Sequence, residues 1–158
     1  EVGDIHQAQQ LRIGTVFQEN SLIPHMTVAE NVFLTREIKN HAGLIDWNRM
    51  YSECVRWGKE LGVELDPHAQ VKRLSVAQQQ IVEIVKMFSQ DPQIVILDEP
   101  TNGLDEAGIK EIRKLIEQEK ERGALILLAS HNQDDMKILA DQVYKIADGR
   151  IERKGTEL

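Results

Sequence analysis

Ile94-Val95-Ile96-Leu97-Asp98-Glu99-Pro100-Thr101 decides the fold class of this chain. The apolar run lacks alternation, which predicts a strand covered on both faces, as in a parallel sheet. Two adjacent carboxylates end it. Asp98 falls at the C-terminal end of a buried strand, where α/β proteins bind their ligands, and can hold Mg²⁺ directly or through its waters. Glu99 points in a different direction and is suited to orienting and deprotonating an attacking water. Taken alone, the string equally describes a strand leaving the core with two solvated acids.

Working outward, the next elements support an α/β chain. Gly123 stops one helical pattern and Ala124 to Ala129 predicts a second buried strand. Between the strands, Asp105 or Glu106 starts a helix whose inward positions are Ile109, Ile112, Leu115 and Ile116. A helix from about Gln133 to Asp141 and a strand over Val143 to Ile146 follow. Asp148-Gly149 signals a hairpin before Arg150-Ile151-Glu152. Strand, helix, strand, helix, strand is the order of an α/β domain.

Upstream, Ile13 to Phe17 predicts a short strand that Gln18-Glu19-Asn20 ends. Thr27-Val28-Ala29-Glu30 is a capping box opening a helix to about Thr35, and Ser75-Val76-Ala77-Gln78 is a second one. Asp46 caps a helix with Trp47, Met50, Cys54, Trp57 and Leu61 on one face. Ile81, Ile84, Val85 and Phe88 form the stripe of another. Residues 27–88 therefore read as a helical subdomain inserted into an α/β core made of residues 1–26 and 89–158.

Composition narrows the function. Apolar residues are 41% of the 158 and aromatics 4%, which predicts a folded chain with an aliphatic core. A net charge of −7 argues against a nucleic-acid partner. The single cysteine, Cys54, excludes an internal disulfide, and its place on an apolar stripe marks a small core residue. No apolar run approaches the ~20 residues of a membrane span, so the expected location is cytoplasmic. His6, His25, His41 and His68 have no partners at suggestive spacing. His131, after the strand at 124–129, can donate to a phosphate. Ser75 opens a helix whose unpaired N–H groups favour anions, although an ordinary N-cap has the same sequence.

In order, Gln18, Leu74 to Gln78, Ile94 to Glu99, Asn102 to Asp105 and Ser130-His131 resemble the motifs of the ATP-binding cassette (ABC) ATPase domain. The resemblance covers about residues 12–152. It implies a P-loop NTPase-like α/β core with a mostly parallel sheet and an inserted α-helical subdomain. It implies that Gln18 is the Q-loop glutamine and that Ser75, Val76, Ala77 and Gln78 belong to the signature motif. Asp98 becomes the Walker B aspartate, Glu99 the catalytic glutamate, Asp105 the D-loop aspartate and His131 the switch histidine. ATP and Mg²⁺ are the implied cofactors, with Asp98 and Gln18 meeting the metal through the nucleotide.

The implied partners are a second ABC cassette, to which Ser75 is offered in trans, transmembrane permease subunits, which the helical subdomain touches, and a solute-binding protein. Docking on the permease would place the chain peripherally on the inner face of the membrane. Residues 16–31, Gly43 to Trp47 and Leu74 to Gln80 resemble the first cassette of tandem-cassette sugar importers, including Val76-Ala77 in place of Gly-Gly. Asn102 to Asp105 and Ser130 to Met136 are more similar to exporter-type cassettes.

No Gly-x-x-x-x-Gly-Lys-Ser/Thr run occurs in the 158 residues, and Gly3 is the only glycine among the first 13. The core is therefore expected to be truncated, lacking the phosphate loop (Walker A) and the aromatic residue that stacks on adenine. Without the loop's N–H cradle and lysine, the 158 residues alone are expected to bind ATP weakly and hydrolyse it negligibly. Glu1, not methionine, favours a trimmed piece of an ATPase subunit. The alternatives are a non-enzymatic cassette that binds or regulates an intact ATPase partner and a cytosolic ABC protein acting on ribosomes or in DNA repair. A sheet lacking a central strand also predicts self-association through an exposed strand edge.

Overall fold

Both capping boxes close in the computed structural model, which describes residues 11–16, 21–147 and 150–154, with the backbone alone for Ala147 and residues 152–154. Thr27 Oγ1 accepts from the Glu30 amide at 3.2 Å and the Glu30 carboxylate accepts from the Thr27 amide at 2.6 Å. This starts α1 (Val28–Val32). The helix is shorter than expected because Thr35 adopts φ +65°, which a helix cannot continue through. Asp46 caps α2 (Trp47–Glu60), and the Ser75–Gln78 box opens α3 (Val76–Phe88). A 3₁₀ turn, Val71–Arg73, which the sequence did not signal, leads into it.

Strands β1 (Ile13–Val16), β2 (Ile94–Asp98) and β3 (Leu125–Ala129) form one parallel sheet in the order β1-β2-β3. The register pairs Val16 with Leu97, and Leu97 with Leu128. One face of the sheet, carrying Val16, Val95 and Leu97, is buried under α3 and α4 (Glu106–Glu121). Burying a side chain such as Leu97 contributes about 2 kcal/mol. Gly14 lies on this face because the chain packs tightly there: a Cβ would come within 2.7 Å of Met87 Sδ.

The opposite face departs from expectation. Ile96 is 37% exposed, Leu125 58% and Leu127 51%, so β2 and β3 are covered on one face, not two. A continuous apolar run shows that no face is required to be polar; what packs on it is set by other parts of a fold, and the described residues cover this one only in part. Among the described residues β3 also has a strand neighbour on one side only. After α5 (Gln133–Leu139), β4 (Val143–Ala147) and β5 (Arg150–Lys154) pair antiparallel as a separate ribbon. Their expected turn residues, Asp148 and Gly149, lie outside the described residues. No helix among the described residues is long and apolar enough to cross a membrane.

Most of the core sits between the helices. Met50, Cys54 and Leu61 of the α2 stripe are fully buried, while Trp47 at its start stays 41% exposed. Burial first, then the nearby Asp66 carboxylate, pushes the Cys54 thiol from its ordinary 9.0 up to about 12. Two results follow. The folded chain should react with a disulfide reagent at least about 100-fold more slowly than the urea-unfolded chain, since the thiolate is the nucleophile. Stability should also fall as pH rises from about 9 to about 12, because the unfolded chain releases this proton first. Equal thiol reactivity in both states would contradict this burial.

Candidate functional site

The acids that end β2 sit beside the turn that ends β3. Asp98 pairs in register with Ala129, and the Glu99 amide donates to the Ala129 carbonyl at 2.9 Å. The chain then bends sharply. Glu99 adopts φ +47°, a left-handed conformation that a non-glycine residue holds only at a cost of about 1–2 kcal/mol. Asn102 donates its amide to the Glu99 carbonyl at 3.1 Å and closes the turn.

That bend aims the Glu99 carboxylate at His131. Oε1 accepts from the His131 amide at 2.9 Å and lies 2.7 Å from Nδ1. A carboxylate oxygen accepts, so Nδ1 carries the proton, and in the neutral ring Nε2 is left as the acceptor. The Glu99 side chain is 19% exposed and that of His131 77% exposed. The imidazole therefore reaches solvent with a fixed tautomer. Oε2 of Glu99 has no hydrogen-bond partner among the described residues and is free to take a proton from water.

A second group gathers where α3 meets α4. Ser75 is the N-cap of α3, its oxygen accepting from the Gln78 amide, and it is exposed together with Val76. Asp105 is the N-cap of α4 and accepts from the Gly108 amide at 2.9 Å. The two helices approach through Gly108: a Cβ there would lie 2.9 Å from Ala77 Cβ and 3.1 Å from Asp105 Oδ1. Glycine at 108 thus lets the N-terminal end of α3 pack against the start of α4. Among the described residues, no hydrogen bond joins this group to Glu99 and His131. Gln18 lies outside the described residues.

Several residues that hold the site together carry no motif. Asp135 is fully buried, and Oδ1 accepts from Arg113 Nε at 2.7 Å while Oδ2 accepts from Thr101 Oγ1 at 2.5 Å and Ser130 Oγ at 3.4 Å. Asn31 is buried and uses both ends of its amide on the backbone of Ile23, at 2.7 and 3.1 Å. Glu83, buried on α3, accepts from the amide and hydroxyl of Ser21. The signal available in the sequence was polar residues at core-facing positions: Glu83 sits between Val82 and Ile84.

The metal chemistry is that of a single carboxylate. No group of three or more His, Cys, Asp or Glu among the described residues could hold an ion. Asp98 alone fits Mg²⁺ only where phosphates and water supply most of the octahedral shell.

The family described as ABC transporter matches residues 2–102. The chain is 37% identical over 146 residues to the xylose import ATP-binding protein XylG of Moorella thermoacetica, covering 92% of this chain and 29% of that protein. It is 40% identical over 147 residues to the ribose import ATP-binding protein RbsA 2 of Burkholderia cenocepacia, covering 93% of this chain and 29% of that protein. The chain thus spans under a third of the length of these curated relatives. Among solved structures it is similar to the ATP-binding cassette MJ0796 in a dimeric post-hydrolysis state bound to ADP and Pi, with TM-score 0.74 and 26% identity over 97% of this chain and 68% of that one. It is also similar to cbiO1 from Clostridium perfringens, part of the ABC transporter complex cbiONQ, with TM-score 0.75 and 28% identity over 97% of this chain and 61% of that one. The chain belongs to the ABC transporter family.

Proposed function

We propose that the chain is the signature-bearing, hydrolytic part of an ATPase subunit that energises import of a sugar, with ATP and Mg²⁺ as its cofactors. The observation that supports this most is the Glu99–His131 pair, held at 2.7 Å where two adjacent parallel strands end. The relatives named for xylose and ribose import support the substrate class.

Bound MgATP supplies the γ-phosphoryl group; the residues of this chain orient the water and balance charge around it. Asp98 and Gln18 would hold Mg²⁺ through the nucleotide, where it would offset the charge on the phosphates. Glu99 is the general base, using Oε2, while its Oε1 fixes the orientation of the His131 ring, whose exposed Nε2 can donate to phosphate only when both ring nitrogens carry protons. Ser75, Val76, Ala77 and Gln78, with Asp105 beside them, face the nucleotide of a second cassette. Residues 27–88 form the helical subdomain that docks on transmembrane permease subunits, to which a solute-binding protein delivers the sugar. Residues 1–26 and 89–158 form the α/β core.

The exposed Ser75 at the start of α3 supports a second reading, in which this chain offers Ser75 to an intact partner without hydrolysing ATP itself. Reconstitution of the complete transporter tests the first. ATP hydrolysis stimulated by a pentose or hexose, and lost in His131→Ala, is the expected result. Stimulation by an amino acid or peptide instead would overturn the substrate class, and an unaltered rate in His131→Ala would overturn the site.

A further inference from the structure

We propose that Asp135 is a positioning residue for the Glu99–His131 pair, setting the spacing of the two turns that carry it through Thr101 and Ser130. The proposal deepens the functional reading above and rests on it for its importance, but not for its geometry.

The two turns leave adjacent strands and soon lose their ladder. The Glu99 amide to the Ala129 carbonyl is the last backbone tie between them among the described residues. Beyond it the chains diverge, Glu99 toward Thr101 and Ala129 toward His131. Thr101 is two residues after the acid, and Ser130 is the residue before the histidine. Both hydroxyls converge on one oxygen, Asp135 Oδ2, at 2.5 Å and 3.4 Å. Ser130 Oγ in turn accepts from the Asn132 amide at 3.0 Å, so the tie continues into the cap of α5.

Asp135 is suited to this because it cannot drift. Its side chain is wholly buried, and Arg113 of α4 holds the other oxygen with Nε at 2.7 Å and Nη2 at 2.6 Å. A buried carboxylate without such a partner carries a desolvation penalty of several kcal/mol. With Arg113 occupying Oδ1, Oδ2 is left with lone pairs for the two hydroxyls. One carboxylate therefore joins β2's exit, β3's exit, α4 and α5. Glu99 at φ +47° requires such over-determination, since a strained turn relaxes when its surroundings loosen. Asp134, its neighbour in the same helix turn, is exposed and makes none of these contacts.

The test uses the 158-residue chain without nucleotide and reads the His131 ring by ¹⁵N NMR at about pH 9, above the ordinary histidine range. Thr101→Val keeps the shape and removes the donor; Thr101→Ser keeps the donor. The parent and Thr101→Ser should show the Nδ1–H tautomer, and Thr101→Val should lose it, with the Leu97 amide still slow to exchange. If Thr101→Val does not fold, Ser130→Ala removes the other donor and should give the same loss. Retention of the Nδ1–H tautomer in the donor-less variant would overturn the proposal. So would a loss that Thr101→Ser shares. Because no nucleotide is present, failure here is distinct from failure of the ATPase assignment.

Discussion

Asp135→Ala should lose about 3–5 kcal/mol of stability, the range found when one partner of a buried ion pair is removed. The loss has two sources. Arg113, with its side chain 20% exposed, keeps its charge without the carboxylate that balanced it. Thr101, 5% exposed, keeps a hydroxyl with no acceptor. Domains of this kind have roughly 5–15 kcal/mol in total, so the variant loses about a fifth or more of what holds it folded. Urea unfolding measures it as a lower midpoint at unchanged slope. Arg113→Met in the Asp135→Ala background should recover part of the loss, because it removes the stranded charge. A loss below about 1 kcal/mol would mean that the pair is solvated, contrary to its burial.

Glu99→Gln should lower the hydrolysis rate about 10²–10⁴-fold in a cassette that joins this chain to a phosphate loop, the usual contribution of a positioned general base. The amide keeps an oxygen for the His131 amide and ring, so the turn persists. What disappears is the basic Oε2. The substitution should therefore depress kcat and leave KM within a few-fold, the pattern of an interaction made in the transition state. Steady-state ATPase kinetics separate the two. A kcat reduction of less than about 10-fold would assign the base elsewhere.

The local signals in the sequence are the ones that the fold repeats. Thr27 and Ser75 close their capping boxes, Asp46 and Asp105 cap their helices, and Val95 and Leu97 are buried at 0% exposure. These depend on neighbours three or four residues away, or on hydrophobicity alone. The misses depend on distant partners. The exposed face of Ile96 and Leu127 could not be read from an apolar run, because coverage is decided by what packs against it. The early end of α1 at Val32, ahead of the left-handed Thr35, comes with no glycine to announce it.

The site divides the same way. Asp98, Glu99 and His131 were legible as polar residues placed at strand ends, and Ser75 as a helix start. Asp135 was not, because two adjacent acids in the first turn of a helix read as complements to its dipole. Its burial follows from Arg113, 22 residues away in sequence. Glu83 and Asn31, which tie Ser21 and Ile23 to the helices, are tertiary features of the same kind.

If the 158 residues supply the γ-phosphate side of the proposed site without a phosphate loop of their own, titration with MgATP followed by calorimetry tests this division of labour most directly. Binding should be weaker than about 1 mM, corresponding to roughly −4 kcal/mol or less in magnitude, and no hydrolysis above background should accompany it. A saturable micromolar dissociation constant would contradict it, since it would require a phosphate cradle within these residues.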